Sequence, residues 1–124
     1  MKLCVTATGK ELDSYVAEHF GQAPYFLIIN TDTLAFEAIP NTTRTPERGG
    51  GASAAQLVLD KGVEAVLTGV IGPQALTAFQ VAYVQVYVGA SEIDRVREAI
   101  NKFKCGEYKE STNPVGGPWH MEVP

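Results

Sequence analysis

The sequence predicts an α/β protein with a five-stranded mixed sheet of order 3-2-1-4-5 and helices on both faces. Three observations lead there. Three short apolar runs come first, the second and third only a few residues apart. The apolar period then lengthens to that of a helix, and from there helices alternate with short apolar strands. Connection rules give the order, because a hairpin reverses the chain whereas a helical crossover returns it parallel.

The first strand is "KLCVTA" (2–7). "YFLIIN" (25–30) and "LAFEAI" (34–39) follow, joined through "TDT" at hairpin-like spacing. Ser53 with Gln56 reads as a capping box for a helix carrying Ala54, Ala55, Val58 and Leu59, and Gly62 ends it. "VEAVLT" (63–68) is the fourth strand. Gly72-Pro73 opens a second helix with Ala75, Leu76 and Phe79 on its apolar side, since proline is favoured at a first helical position. "VQVYV" (84–88) is the fifth strand. Ser91 to Asp94 caps a third helix, with Ile93, Val96, Ile100 and Phe103 at helical spacing and Gly106 at its end. One domain over 1–106 and an irregular tail over 107–124, pinned by Trp119, are expected.

If the first strand runs up, the second runs down and the third, fourth and fifth run up. The loops 8–24, 40–52, 68–73 and 89–91 then share one edge. Between strands 1 and 4 the connectivity reverses, and such switch points form ligand crevices in open α/β sheets. Arg44, Arg48 and the run Gly49, Gly50, Gly51 come to that edge from one loop, and Gly69 and Gly72 from another. Two helix amino termini, glycine-rich backbone and two arginines favour an anion there.

His19 lies on the first of these loops. If 13–20 forms a helical turn, Leu12, Tyr15, Val16 and His19 share a face. Its imidazole then either bonds a backbone carbonyl and fixes the loop, or serves as a metal ligand or acid–base group at the crevice mouth. Gly21 permits close approach or a positive φ under either reading.

Composition narrows the function classes. A formal charge of −4 lacks the clustered Lys and Arg that displace phosphate counterions, so no nucleic acid is expected. The amino terminus has one Lys and no long apolar run, so neither leader nor membrane span is expected, and a cytoplasmic place is. Cys4 and Cys105 form no metal or redox spacing, and Cys4 reads as a buried strand thiol. The acidic residues near the crevice, Glu11, Asp13, Glu18 and Glu47, are all on loops, which does not suit a two-metal nuclease. His120, between Trp119 and Met121 in the tail, could reach a metal, but it reads first as a disordered terminal histidine.

The segments "LDSYVAEHFGQAPYF" (12–26), "GGGASAAQLVLDKGVEAVLTG" (49–69), "IGPQAL" (71–76) and "VYVGA" (86–90) resemble the dinitrogenase iron–molybdenum cofactor biosynthesis family, which includes NifX-like carriers and the carboxy-terminal domain of NifB-like proteins. The resemblance implies a ribonuclease-H-like three-layer fold without the nuclease carboxylates, and no catalysis. It implies transient binding of an iron–sulfur or iron–molybdenum cluster, passed between donor and acceptor proteins. It puts His19, within "HFG" with Phe20 and Gly21, in the position of the cluster ligand. A monomer or weak dimer is expected. One departure is visible: the family's helix before the fifth strand ends near a glycine, and this chain has Ala82 and Tyr83. Two other uses of the crevice stand beside the carrier. One is a regulatory domain sensing a small anion; the other is a diverged hydrolase or phosphotransferase with His19 as acid–base and Arg44 or Arg48 as phosphate clamp.

Overall fold

A computed structural model describes residues 1–43 and 51–111. Its elements are β1 (Lys2–Ala7), a 3₁₀ turn (Phe20–Gln22), β2 (Tyr25–Asn30), β3 (Phe36–Pro40), α1 (Ala52–Leu59), β4 (Ala65–Leu67), α2 (Pro73–Val81), β5 (Gln85–Val88), α3 (Val96–Lys104) and β6 (Lys109–Glu110). Among the described residues the sheet has six strands in the order β3-β2-β1-β4-β5-β6. β1 pairs antiparallel with β2 and parallel with β4, and β4 pairs parallel with β5, as the connection rules require.

Alternation along the strands makes two cores. Cys4, Phe26, Ile28, Val66 and Val86 face Val58 of α1 and Leu76 and Phe79 of α2. Leu3, Val5, Leu27, Ile29 and Leu67 face Val96, Ala99 and Ile100 of α3 on the other side. Both faces of the central strands are buried, which explains why they read as continuous apolar runs.

Four local expectations change. The segment 13–20 is not helical. It runs as a strap, with Val16 bridged to Ala7 and Tyr15 bridged to Arg95. The Val16 N–H donates to Asp94 O at 2.9 Å, and Ser14 O accepts from Val96 N at 2.8 Å. With its backbone groups satisfied by β1 and by the approach to α3, the strap has no need of helical bonds. Leu12 and Val16 are buried, while Tyr15 and His19 are exposed, so they do not form one face.

The cap of α1 is Gly51, with φ 51° and ψ −119°, and among the described residues Ser53 supplies no capping bond. α3 starts three residues later than its apolar spacing suggested. Its first-turn Glu98 accepts from Arg95 N at 2.7 Å, and Ile93 is left 78% exposed. Finally, residues 109–110 of the expected tail form β6, pairing antiparallel with β5. Both are charged and exposed, as suits an edge strand, so no apolar alternation marked them.

Candidate functional site

At the carboxyl ends of β1 and β4 stand two fully buried threonines, Thr6 and Thr68. The Thr6 hydroxyl donates to Ala17 O at 2.6 Å, and the two hydroxyl oxygens are 2.9 Å apart. Glu18 O accepts from Gly69 N at 3.1 Å and Val70 N at 2.7 Å, and Phe20 N donates to Val70 O at 2.9 Å. These bonds tie the strap down across the switch point and deliver His19 beside Val70. Gly69 is required by space. A Cβ there would lie 2.7 Å from Ala90 O, from Glu18 O and from Glu18 Cγ.

The strap ends in an anchored turn. Phe20 is 1% exposed and stacks on Phe26 at 5.1 Å between centroids, with Phe79 edge-on at 5.4 Å. Asn41, 7% exposed, holds the turn from the other side. Its amide nitrogen donates to Gly21 O at 3.1 Å and Ala23 O at 3.0 Å, while its Oδ1 accepts from Thr43 N at 3.1 Å and Thr43 Oγ1 at 2.6 Å. All the strong bonding capacity of a buried amide is used here.

Beside this turn lies a cleft of about 440 Å³, bounded by residues 19–22, Gly51, Val70 and residues 72–75. Two helix amino termini open into it. α1 begins at Gly51 and α2 at Gly72-Pro73, and among the described residues neither has a side-chain cap. Their first-turn N–H groups have no intrahelical acceptors, so the partial positive charge of each end faces the cleft. Gly51 adopts a backbone conformation that glycine alone accepts readily, and a Cβ there would lie 3.2 Å from Gln74 Oε1. His19 stands exposed at the rim, and its imidazole makes no hydrogen bond among the described residues.

The cleft therefore brings together His19, Phe20, Gly21, Gly51 and Gly72 of the residues expected from the sequence. Gly69 is not on its wall but supports it from below. Arg44, Arg48, Gly49 and Gly50 lie outside the described residues, as do Trp119 and His120. Gln22 and Gln74, which line the cleft, and Asn41, Thr6 and Thr68, which shape it, were missed as site residues. The thiols stand apart. Cys4 is fully buried in β1, and burial pushes its pKa far up; Cys105 is exposed at the carboxyl end of α3. Among the described residues no group of three or more His, Cys, Asp or Glu side chains is placed to hold a metal ion.

A family model described as dinitrogenase iron-molybdenum cofactor matches residues 1–106. The chain belongs to this family. The match runs from β1 to the glycine that ends α3, so it contains the strap, the cleft and both helix termini, and it stops short of β6. Among solved structures, the family fold is shared with the apo form of the orange protein from Desulfovibrio gigas. That chain is 34% identical, with a TM-score of 0.84 over 91% of this chain and 94% of that one. A candidate NifB protein from Thermotoga is 30% identical, with a TM-score of 0.76 over 93% of this chain and 98% of that one. An uncharacterised protein of Methanocaldococcus jannaschii is 33% identical over 77% of this chain and 81% of its own length. Among the described residues of this family member, no helix is long and apolar enough to cross a membrane.

Proposed function

We propose that this chain is a non-catalytic, cytoplasmic carrier of an anionic iron–sulfur or iron–molybdenum-type cluster, which it receives from one assembly protein and yields to another. The observation that carries this reading is the placement of an exposed imidazole, His19, without a hydrogen bond among the described residues, at the rim of a cleft into which two helix amino termini open. Each helix end favours a negative charge by about 0.3–1 kcal/mol. The glycines let a bulky anion approach the backbone closely. His19 would add one directional metal bond.

Such a set of contacts is modest, and a carrier needs it to be. Clusters held by four thiolates are resident groups, and neither thiol of this chain lies in the cleft. Membership of a cofactor-related family and similarity to a candidate NifB protein support the same reading.

The test is anaerobic reconstitution with iron(II) and sulfide, and separately with isolated iron–molybdenum cofactor, read by metal content, visible absorbance and EPR. Stoichiometric uptake by the native chain is expected, with His19→Ala folding as well as the parent and losing most of the uptake. Full uptake by the variant would remove His19 as ligand. Failure of the native chain to take up either cluster would overturn the carrier reading.

A further inference from the structure

β3 is an open edge of the sheet, paired among the described residues with β2 alone. Its backbone groups divide by position. Asn30 N donates to Ala35 O at 2.9 Å, and Asn41 N donates to Pro24 O at 2.9 Å. On the register that joins Ile28 to Glu37 and Phe26 to Ile39, those two bonds make Glu37 and Ile39 the residues of β3 that bond to β2. The N–H and C=O groups of Phe36 and Ala38 therefore point away from the sheet, as does the C=O of Pro40. They form no bond among the described residues.

Sheet edges are commonly guarded by charge. The far edge is guarded in this way, since β6 consists of Lys109 and Glu110, both exposed. The outward positions of β3 are Phe36, Ala38 and Pro40, and none is charged. Their side chains lie on the α3 face, across from Ile29, Leu27 and Tyr25, and Phe36 is 38% exposed there. Glu37 is the one charge on the strand, on the other face, where Lys61 Nζ holds it at 2.7 Å.

This edge complements itself in one register. Set antiparallel about Ala38, each Ala38 N–H meets the partner's Ala38 O, and each Phe36 N–H meets the partner's Pro40 O. Pro40, with no N–H to offer, comes at the end of the ladder, where proline is tolerated. Phe36 lies beside the partner's Pro40 on one face, and Glu37 stands across from the partner's Ile39 on the other. A slide one way would set Glu37 against the partner's Glu37, and like charges directly opposite are destabilising. A slide the other way carries Phe36 past the end of the partner's β3.

We infer that this chain forms a two-fold dimer through β3, paired antiparallel about Ala38, so that one sheet runs through both copies. A second copy is the occupant because an isologous contact requires a self-complementary surface, and this edge matches itself in bonding, packing and charge. Antiparallel pairing turns the carboxyl edges of the two sheets in opposite directions. The two clefts beside His19 then stand at opposite ends of the dimer, each open, and the pairing does not depend on what they hold.

The test is sedimentation equilibrium of the full chain from micromolar to millimolar concentration, with amide hydrogen exchange at both ends of that range. A strand of 5 residues makes a small interface, so a reversible monomer–dimer equilibrium is expected. Protection at Phe36 and Ala38 should rise with concentration, while that at Glu37 and Ile39, already bonded to β2, should stay constant. Ala38→Pro removes an N–H that β2 does not use, so the monomer should fold and dimerisation should weaken by at least about tenfold. Phe36→Lys, at an exposed position, should weaken it likewise by putting a charge on the edge, and serves if the proline variant misfolds. A chain that stays monomeric at millimolar concentration overturns the inference. So does a dimer that neither variant weakens. Protection at Phe36 and Ala38 that is already full in the dilute monomer also overturns it, because another segment of the same chain would then cover the edge.

Discussion

Tyr83 and Gly106 occupy the same position in two copies of one helix-ending motif. At the end of α2, Tyr83 N donates to Gln80 O at 3.0 Å and Val84 N to Phe79 O at 2.9 Å. At the end of α3, Gly106 N donates to Phe103 O at 3.0 Å and Glu107 N to Lys102 O at 3.1 Å. Both residues are left-handed, with φ 61° and 75°. Glycine accepts this conformation freely, and a tyrosine does not.

Tyr83 is 94% exposed, so it recovers little of that cost through packing. Tyr83→Gly should therefore stabilise the chain by about 0.5–1 kcal/mol, the relief of strain exceeding the added freedom of the unfolded chain. A denaturant midpoint compared at unchanged m-value reads it. An unchanged or lower midpoint would mean that the side chain has packing value in this position.

The contrast between Gly69 and Gly72 gives a second prediction. Two of the three atoms that would meet a Cβ at Gly69 are main-chain carbonyl oxygens, each 2.7 Å away, and they cannot move without shifting the strap or the loop after β5. Gly69→Ala should cost about 1–3 kcal/mol and displace His19. Gly72 has φ −81° and no atom within 4 Å of its Cβ site, so Gly72→Ala should stay within about 0.5 kcal/mol. Thermal unfolding of the pair checks both, and equal effects would contradict the packing described here.

The same two glycines show where sequence reading reaches and where it stops. Both were expected at the crevice, because glycine next to a helix start or strand end is visible in sequence. Which of them touches the cleft was not visible, since that depends on Glu18 and Ala90 arriving from other loops. The central strands and α2 were legible because apolar runs and Gly-Pro are local signals. A helical turn stayed open for the strap because its apolar positions, Leu12 and Val16, are four apart, whereas its bonds go to β1 and to the residues before α3. β6 escaped because an edge of Lys109 and Glu110 carries no apolar pattern, and Asn41 because its bonding partners are carbonyls about twenty residues away.

Asn41 gives the third prediction. Asn41→Leu keeps the volume but leaves Gly21 O and Ala23 O without their donor in a site only 7% exposed. Each orphaned carbonyl costs about 1–3 kcal/mol. The variant should lose at least about 2 kcal/mol, and hydrogen exchange at Gln22 and Ala23 should quicken more than in the strands. Uniform loss of protection over the whole sheet would show that Asn41 supports global stability and has no special hold on the turn.

The two thiols separate imidazole-based from thiolate-based holding of a cargo. Cys4 is inaccessible in the centre of the sheet, and its pKa is pushed far up, so it has almost no thiolate to offer while the chain is folded. Cys105 is exposed, but it caps the far end of α3. The first residues of that helix are the ones bonded to the strap: Val96 N to Ser14 O and Arg97 N to Leu12 O. A disulfide reagent should therefore label one thiol per native chain promptly. The second should react only through unfolding, slower by a factor on the order of 10³ or more for a domain of ordinary stability. Cys105→Ser should abolish the fast phase and leave cluster uptake unchanged. If that variant loses uptake while His19→Ala retains it, the cargo is held by a thiolate at the end of α3, and the cleft between the helix termini is not its site.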